Sequence, residues 1–270
     1  MSGLVFACCS AGRPEMLVKK TLKTLARGGF TGPLWLVVPG DEMIQYQQAV
    51  AGNPVICMIV TSERGLVKQR KKFRSTMLPG TEIVFVDDDL DAIKILAHGD
   101  LVHCTNVVSL ANYVFEVMAE SGDDCLLAGI YPVCNRDWMK PTITENNGYI
   151  VGAMYFIKND ERLVEPDEDE LEDWSRCLSE QRAGRPVLKF NWVGISTKYW
   201  GNKGGMQMTR TDAKRLEKVE QYASQFYGLV KMVLRRNGKP DLKYVAKPKL
   251  TELTLPAHLQ QAEAEAASEL

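Results

Sequence analysis

Short apolar runs alternate with longer segments of helical apolar spacing in the first third of the chain. The runs are rich in β-branched and aromatic residues and do not alternate with polar ones, which is typical of strands buried on both faces of a sheet. They predict strands over residues 4–9, 33–38, 55–60 and 83–86. The segments between them predict helices over residues 15–27, 41–51 and 66–77. Because strand and helix alternate through short links, this half predicts a right-handed parallel, Rossmann-like unit.

The second half of the chain is less regular. Apolar runs predict further strands over residues 125–133, 149–157 and 187–191. Helical spacing predicts helices over residues 91–97, 106–121, 174–183 and 211–236. We therefore expect one α/β domain with a mixed central sheet over residues 1–250, followed by a flexible tail over residues 251–270 that lacks a core pattern. Gly152, inside a predicted strand, indicates that a backbone or a ligand approaches closely there.

Three carboxylates, Asp87, Asp88 and Asp89, end the strand predicted over residues 83–86. Adjacent aspartates repel one another, so their charge is costly unless a divalent cation or positive groups neutralise it. The carboxyl ends of strands in α/β sheets are also where ligands usually bind. The pattern favours a Mg²⁺ or Mn²⁺ site that grips a diphosphate. An acidic strand-to-loop turn is the alternative, because Asp is a common turn residue.

Candidate phosphate-binding side chains lie near this strand in the sequence. Ser10 and Arg13 follow the first strand in a turn that matches neither the dinucleotide-binding motif nor the P-loop. The basic helix over residues 66–77, which includes Arg70, immediately precedes the aspartate strand and has the charge that phosphates require. A solvated helix face is the ordinary explanation of such a run, and a solvated helix-start arginine is that of Arg13.

Three features of the second half are candidates for donor and acceptor binding. Glu172 and Asp173 end a strongly acidic stretch whose remainder is typical of a solvated helix start. Lys203 lies beside two glycines in a polar loop, which could close over a phosphate or be an ordinary connector. Trp138 lies in a linker rich in Asn, Asp and Pro, where it either offers an aromatic platform to an acceptor or caps the core.

Composition narrows the class of protein. The 270 residues carry a net charge of −1, so attraction to nucleic acid or to a membrane must come from a local patch. No apolar run reaches the roughly 20 residues of a membrane span, and the N-terminus lacks the basic region and cleavage site of a signal peptide. Seven scattered cysteines without a CxxC pair, and only three histidines, predict free thiols in a reducing cytoplasm and argue against structural zinc.

A turn with serine and arginine after the first strand, a basic helix, and a strand ending in Asp-Asp-Asp together resemble a GT-A glycosyltransferase. The resemblance implies that the DxD motif, Asp87 and Asp89 here, holds Mn²⁺ or Mg²⁺, which bridges the diphosphate of a nucleotide sugar. The pair Glu172 and Asp173 is similar to the ED-type motif that supplies a catalytic carboxylate in many GT-A enzymes.

A narrower resemblance is to the TET/JBP-associated glycosyltransferases, which include the base J glucosyltransferase and phage enzymes that act on 5-hydroxymethylpyrimidines in DNA. It covers roughly residues 5–210, through the SxxR-like start, the arginine-rich segment before VFVDDDL, the strand GIYPV, and the ED and GG of the second half. This resemblance implies a phage-encoded enzyme in the host cytoplasm. Its reaction would transfer a sugar from a UDP-sugar to the hydroxymethyl group of a base in duplex DNA.

The resemblance also implies roles for single residues. Asp87 and Asp89 are expected on the metal, and Asp88 is expected to face the ribose or structural donors. Asp173 is expected to be the general base that deprotonates the hydroxymethyl group, with Glu172 as the alternate. The expected contacts to the nucleotide sugar are Ser10, Arg13, Arg70, Asp87, Asp88 and Lys203.

A DNA acceptor would add two requirements. The target base has to leave the stack, and the backbone needs a basic surface. Arg235, Arg236 and Lys239 begin a second cationic run that could track phosphates, although a solvated helix end explains it equally well. Two other functions stay open. One is a GT-A enzyme with a saccharide or protein acceptor, which the near-zero net charge favours. The other is a non-enzymatic nucleic-acid-binding protein in which the aspartates are structural.

Overall fold

The first half of the chain builds one side of the central sheet. In the computed structural model, which describes residues 3–198, 211–253, 256 and 259, all four strands predicted for this half form. They are β1 (Leu4–Cys9), β2 (Leu34–Pro39), β3 (Cys57–Ser62) and β4 (Glu82–Val86). They pair in parallel in the order β3-β2-β1-β4, so the predicted Rossmann-like unit is confirmed.

The helices between these strands also lie where the apolar spacing predicts them. They are α1 (Pro14–Leu17), α2 (Lys23–Arg27), α3 (Met43–Val50) and α4 (Leu66–Thr76). A π-helical turn at Val18–Leu22 joins α1 to α2, and a 3₁₀ turn at Gly40–Glu42 precedes α3. The helix predicted over residues 15–27 is therefore continuous, with one wider turn in its middle.

Both faces of β4 are covered, which explains why its sequence does not alternate. Val84 packs with Leu25 of α2 in the main core. Ile83 and Phe85 pack with Phe73 of α4 in a second core on the opposite face. Successive side chains of β4 thus enter different cores, and the strand delivers the three aspartates that follow it to a fixed position.

The second half extends the sheet with antiparallel and parallel strands. Its elements are β5 (Leu90–Ala97), β6 (Asp100–His103), α5 (Val107–Glu120), β7 (Leu127–Tyr131), β8 (Thr142–Glu145), β9 (Met154–Lys158), α6 (Glu172–Arg182) and β10 (Val187–Thr197). The strand predicted over residues 149–157 begins only at Met154, and the one predicted over residues 187–191 continues to Thr197.

The helix predicted over residues 91–97 is wrong, because these residues lie in β5. That strand pairs antiparallel with β10 on one side and with β6 on the other. Ile93 and Ile95 are buried in the main core, whereas Asp91 is exposed. Seven residues are too few to separate a helical period from a strand period, so the neighbouring strands decided the structure.

The helix predicted over residues 211–236 is wrong beyond Gln225. Its first part is α7 (Asp212–Gln225), and the remainder enters a hairpin of β11 (Val230–Leu234) and β12 (Pro240–Tyr244). Gly228 adopts φ +87°, a left-handed conformation that does not continue a helix. Beyond it, Val230 pairs with Tyr244 across the hairpin.

Strand β13 (Lys249–Glu252) lies at one end of the sheet, whose order over the described residues is β13-β8-β10-β7-β9-β4-β1-β2-β3, with β5 beside β10 and β6 beside β5. The predicted single α/β domain with a mixed central sheet is confirmed. Structure continues past the predicted boundary at residue 250, and Leu259 is buried in the main core. All seven cysteines are free thiols, as predicted. Within the described ranges, no helix is long and apolar enough to cross a membrane.

Candidate functional site

Asp88 is the most deeply buried of the three aspartates. Ser10 Oγ donates to Asp88 Oδ2 at 2.5 Å, and Arg13 Nε donates to the same oxygen at 3.1 Å. Arg13 Nη2 pairs with the other carboxylate oxygen. Both partners come from the turn after β1, because β1 and β4 are parallel neighbours and end at the same edge of the sheet. In this geometry Ser10, Arg13 and Asp88 hold one another in place.

Asp87 and Asp89 are the aspartates with access to solvent, and their side chains are 34% and 12% exposed, respectively. Asp87 Oδ1 lies 3.6 Å from Arg70 Nη2. Asp89 Oδ2 lies 3.5 Å from Arg13 Nη1, and Thr197 Oγ1 of β10 donates to Asp89 Oδ1 at 2.9 Å. Two partly exposed carboxylates therefore flank Asp88, whose oxygens already accept hydrogen bonds from Ser10 and Arg13.

Negative charge at this edge is incompletely compensated. Partial burial raises the pKa of Asp87 to about 7, while Arg70 opposes the rise and the neighbouring aspartates add to it. Burial also raises the pKa of Asp88 to about 6, against the opposing effect of Arg13 and Ser10. A cation beside Asp87 would favour its charged form, and carboxylate oxygens are the ligands that Mg²⁺ and Mn²⁺ prefer.

The protein side chains alone do not complete a metal site. In the described part of the chain, no group of three or more His, Cys, Asp or Glu side chains could hold a metal ion. Mg²⁺ is usually held by one or two carboxylates together with water and substrate phosphates. Asp87 and Asp89 fit that arrangement, in which a diphosphate supplies the remaining ligands.

Glu172, at the start of α6, lies between two buried arginines. Arg70 Nη1 is 2.6 Å from Glu172 Oε1, and Arg176 Nη2 pairs with Oε2. Both guanidinium groups also lie against the ring of Tyr155, at 4.9 Å for Arg70 and 4.3 Å for Arg176 from its centroid. Burial raises the pKa of Glu172, but the charges of Arg176 and Arg70 outweigh it and bring the pKa below its ordinary value. The carboxylate of Glu172 is therefore negatively charged, and the two buried arginines offset that charge.

Arg70 connects this cluster to the aspartates. Besides its approach to Asp87, Arg70 Nη2 donates to Gly152 O at 3.0 Å. A Cβ atom on Gly152 would lie only 2.5 Å from Glu172 Oε1. A close approach at Gly152 is therefore found, although the approaching group is a carboxylate rather than a backbone or a ligand. Arg70 is only 2% exposed, so its direct contact with a donor phosphate stays a prediction.

We expect Gly152→Ala to lower the free energy of unfolding by about 1–3 kcal/mol, the usual cost of overpacking. The new methyl group would meet Glu172, which two arginines prevent from moving aside. Denaturant unfolding measures the effect. Gly40→Ala is the matched control, because a Cβ there meets no atom within 4 Å. Equal stability of the Gly152→Ala and wild-type proteins would contradict this packing.

Asp173 follows Glu172 in the first turn of α6 and is half-buried. Its Oδ1 accepts a hydrogen bond from the Trp174 backbone N–H at 2.9 Å, and its Oδ2 accepts one from Tyr149 OH. Because Arg70 contacts both Asp87 and Glu172, the end of β4 and the start of α6 lie on either side of one guanidinium group. The fold therefore brings the predicted metal pair and the predicted carboxylate pair into one region.

An acidic strap, residues 165–172, neutralises much of the basic helix α4. Its side chains meet cations of α4 and α7 in the pairs Glu165–Arg74, Asp167–Lys71 and Glu168–Lys218. Asp169 also caps α4, because its Oδ1 accepts from the Val67 backbone N–H at 2.7 Å. Lys71 is exposed, as expected of a solvated helix face, and it meets an exposed Asp167. Arg74 is largely buried against Glu165, so its charge has a partner within the protein.

The cations predicted to contact DNA lie at the turn of the β11–β12 hairpin. Arg235 pairs with Asp241 at 2.5 Å, and Lys239 pairs with Asp212 of α7 at 2.9 Å. Arg236 is exposed. Part of this predicted basic surface is therefore already engaged in ion pairs within the domain.

Trp138 lies in the loop after β7, with 62% of its surface exposed, so the core-capping alternative is wrong. Its neighbours anchor the loop, because Met139 is fully buried and the Lys140 N–H donates to Asn191 O at 3.1 Å. β7 and β4 are both antiparallel to β9 and so run in the same direction, which means that this loop leaves the edge that carries the aspartates. Lys203 lies outside the described residues.

Three buried polar side chains support the site although the sequence did not single them out. Tyr46 OH lies 2.6 Å from Ser10 Oγ, and Gln69 Nε2 donates to Ser10 O at 3.2 Å. Thr21 Oγ1 donates to Asp87 O at 2.7 Å. Thr21 lies four residues from a buried leucine on either side, so it occupies an inward position of the helix. A polar residue at such a position is the sequence signal that could have identified Thr21 as a buried hydrogen-bonding residue.

No protein-family model and no curated protein matches the sequence. Among solved structures, GalNAc-T7 with UDP, GalNAc and Mn²⁺ superimposes with a TM-score of 0.52 at 10% identity, covering 85% of this chain and 49% of that one. Residues 1–349 of TarS from S. aureus give a TM-score of 0.48 at 14% identity, covering 73% of this chain and 60% of that one. This chain thus spans less than two thirds of either protein. Its mixed sheet and its likeness to GalNAc-T7 show that the chain has the GT-A glycosyltransferase fold.

Proposed function

We propose that this protein is a metal-dependent glycosyltransferase that moves a sugar from a UDP-sugar to the hydroxymethyl group of 5-hydroxymethylpyrimidine bases in DNA. The observation that carries the enzymatic proposal is the aspartate run, in which Asp87 and Asp89 flank the satisfied Asp88 at the end of β4 in a GT-A fold. The donor is supported by the similar structure of GalNAc-T7, which contains UDP, GalNAc and Mn²⁺.

In this proposal, Asp87 and Asp89 hold Mn²⁺ or Mg²⁺ together with the donor diphosphate. The bound cation would offset the negative charge that develops on the departing nucleoside diphosphate. Ser10 and Arg13 keep Asp88, and with it the aspartate turn, in position. Lys203 is proposed to close over the diphosphate from its Gly-rich loop.

Asp173 is the proposed general base. It takes the proton of the hydroxymethyl group as that oxygen bonds to the anomeric carbon, while the bond between this carbon and the diphosphate oxygen breaks and the diphosphate keeps the electron pair. Asp173 is favoured over Glu172, because two arginines neutralise Glu172 and hold its pKa below the ordinary value despite burial.

The DNA acceptor rests on the resemblance of the sequence to the TET/JBP-associated glycosyltransferases, and a phage origin rests on the same resemblance. The exposed Arg236 supports the DNA acceptor, because it could contact a backbone phosphate. One observation favours a saccharide or protein acceptor instead. The ion pairs of Arg235 and Lys239 within the domain leave less positive surface for a DNA backbone.

Incubation with Mn²⁺, a panel of UDP-sugars and duplex DNA that contains 5-hydroxymethylcytosine or 5-hydroxymethyluracil tests the proposal. A glycosylated nucleoside detected by mass spectrometry is the expected result. Transfer to glycans or peptides but not to DNA would select the other acceptor. Folded protein that binds DNA, hydrolyses no donor and transfers no sugar would instead identify a non-enzymatic DNA-binding protein.

We expect Trp138→Ala to raise the KM for the hydroxymethylated DNA without changing the KM for the donor. Stacking on an aromatic side chain is worth about 1–3 kcal/mol per base, which corresponds to a rise of about 5- to 150-fold. Steady-state kinetics with both substrates varied measures this. Tyr227→Ala, which removes an aromatic ring with 91% exposure elsewhere, is the control. An unchanged acceptor KM would argue that Trp138 does not contact the base.

A further inference from the structure

We infer that Tyr149 is a positioning residue that fixes the carboxylate of Asp173 for proton transfer. Tyr149 precedes β9 and reaches the first turn of α6, where its hydroxyl donates a hydrogen bond to Asp173 Oδ2. The inference rests on the proposed function, in which Asp173 is the general base, and it names the group that holds this base in its working orientation.

Two hydrogen bonds fix the plane of the Asp173 carboxylate. The Trp174 backbone N–H meets Oδ1 at 2.9 Å, and Tyr149 OH meets Oδ2 from another part of the chain. One hydrogen bond leaves a carboxylate able to turn about it, whereas two on different oxygens restrict that rotation. A base must lie within hydrogen-bond reach of the proton that it removes, so this restriction bears directly on proton transfer.

The hydroxyl of Tyr149 is itself held in place by its ring. The ring stacks on Trp174 with 4.8 Å between centroids, and Trp174 packs on Tyr244 at 5.1 Å. Gln181 Nε2 donates to Tyr244 OH at 2.8 Å, which anchors the far end of the row. Because Trp174 is 5% exposed and follows Asp173 directly, the same stack fixes both partners of the hydrogen bond.

The backbone before Asp173 also departs from ordinary geometry. Leu171 adopts φ +56° and ψ 32°, a left-handed conformation that is unfavourable for a leucine. It is 5% exposed and packs in the same hydrophobic cluster as Trp174. Strained residues of this kind persist where the surrounding structure determines them, and they cluster at functional sites. The strained turn delivers Glu172 to its two arginines and Asp173 to Tyr149.

Burial raises the pKa of Tyr149 well above its ordinary value, and the charge of Asp173 and the hydrogen bond to it raise it further. The phenol therefore stays protonated and remains a donor at neutral pH. Its role is to orient Asp173, and it takes no proton from the acceptor.

Tyr149→Phe tests the inference, because it removes the hydroxyl and keeps the ring that stacks on Trp174. With Mn²⁺, UDP-glucose and a duplex that contains 5-hydroxymethylcytosine, or the donor and acceptor found in the screen above, we expect kcat to fall about 10- to 100-fold. The KM for the donor and the affinity for UDP should stay unchanged. In the Asp173→Asn background, Tyr149→Phe should cause no further loss, because its effect acts through Asp173.

Tyr227→Phe is the matched control, since this tyrosine is 91% exposed, and it should leave kcat unchanged. A wild-type kcat in Tyr149→Phe, or losses that multiply with those of Asp173→Asn, would overturn the inference and leave the proposed function intact. If the wild-type protein transfers no sugar to any acceptor, the proposed function is wrong. In that case the hydrogen bond between Tyr149 and Asp173 has no role in catalysis.

A second measurement tests the hydrogen bond without activity. In protein labelled with ¹³C at the tyrosine Cζ atoms, the Tyr149 signal is the one that disappears in Tyr149→Phe. Asp173→Asn should shift this signal more than those of the other eight tyrosines. A Tyr149 signal that does not respond would overturn the inference even if the enzyme is active.

Discussion

Replacing Asp87 or Asp89 by asparagine is expected to lower the kcat of sugar transfer about 100- to 1,000-fold, the loss typical when one group that stabilises developing charge is removed. Each substitution removes one of the two partly exposed carboxylates at the end of β4. In the proposed function, a divalent cation would lose a charged ligand, and the departing diphosphate would be less well neutralised. Initial rates at saturating Mn²⁺ and UDP-sugar measure the effect.

UDP binding separates this loss from unfolding. In the wild-type protein, UDP should raise Tm more in the presence of Mn²⁺ than in its absence, and the two asparagine variants should lose this difference. Their own Tm should not fall, because each substitution relieves repulsion among three adjacent carboxylates.

Asp91→Asn is the matched control for these variants. Asp91 lies two residues beyond the run, is 44% exposed, and pairs with Lys20 on the surface. Loss of activity in Asp91→Asn equal to that in Asp87→Asn would show that charge near β4, rather than these two carboxylates, is what the reaction needs. Activity that is unaffected in both Asp87→Asn and Asp89→Asn would remove the metal proposal.

Glu172→Gln is expected to lower the free energy of unfolding by about 3–5 kcal/mol, the usual cost of removing one partner from a buried ion pair. Arg70 and Arg176 are each 3% exposed at the side chain, and they would keep two buried charges without their shared counter-ion. Denaturant unfolding at pH 7 measures the difference. Glu168→Gln is the control, because Glu168 is 57% exposed, and surface pairs contribute about 0–1 kcal/mol.

The pH dependence of this effect has a definite sign. Two arginines outweigh the effect of burial, so the pKa of Glu172 in the folded protein is lower than in the unfolded chain, where it is about 4.3. The stabilisation is therefore complete above about pH 4.3 and is lost as the pH falls through the lower, folded-state pKa. We expect the difference in unfolding free energy between wild type and Glu172→Gln to be constant from pH 8 to 6 and to shrink at lower pH. A difference that grows on acidification would contradict this sign.

Comparing Glu172→Gln with Asp173→Asn distinguishes the roles of the two carboxylates at the start of α6. If Glu172 is structural and Asp173 is the base, Glu172→Gln should lower Tm strongly, whereas Asp173→Asn should lower kcat about 100- to 10,000-fold, the range of general-base contributions. A Glu172→Gln protein that is folded at the assay temperature but inactive, beside an active Asp173→Asn, would reverse the assignment.

Sequence patterns failed in this chain at short segments whose secondary structure depends on their neighbours. Residues 91–97 carry apolar side chains that suit either a helix or a strand. They form a strand because they pair with β10 on one side and with β6 on the other. Residues 230–234 continue the helical spacing of α7, but pairing with β12 outweighs it. Local propensity is a weak prior, and tertiary contacts override it.

The sequence by itself determined the parallel half of the sheet and the position of the aspartates. β4 is buried on both faces, so its apolar run is unbroken, and the point where polarity begins marks its carboxyl end. Such signals are local, because they depend only on residues that follow one another in the chain.

Only the tertiary structure determined which of the three aspartates are accessible to solvent and which cations have ion-pair partners. Arg13 and Asp88 are 75 residues apart in sequence, and Asp169 caps a helix that lies 102 residues earlier. A single sequence contains no signal for which distant charges meet, because that depends on how the strands are ordered. The strand order leaves Asp87 and Asp89 partly accessible on either side of the buried Asp88. It also brings two arginines of the basic helix against carboxylates, Arg70 against Glu172 and Arg74 against Glu165, while the lysines of that helix stay exposed.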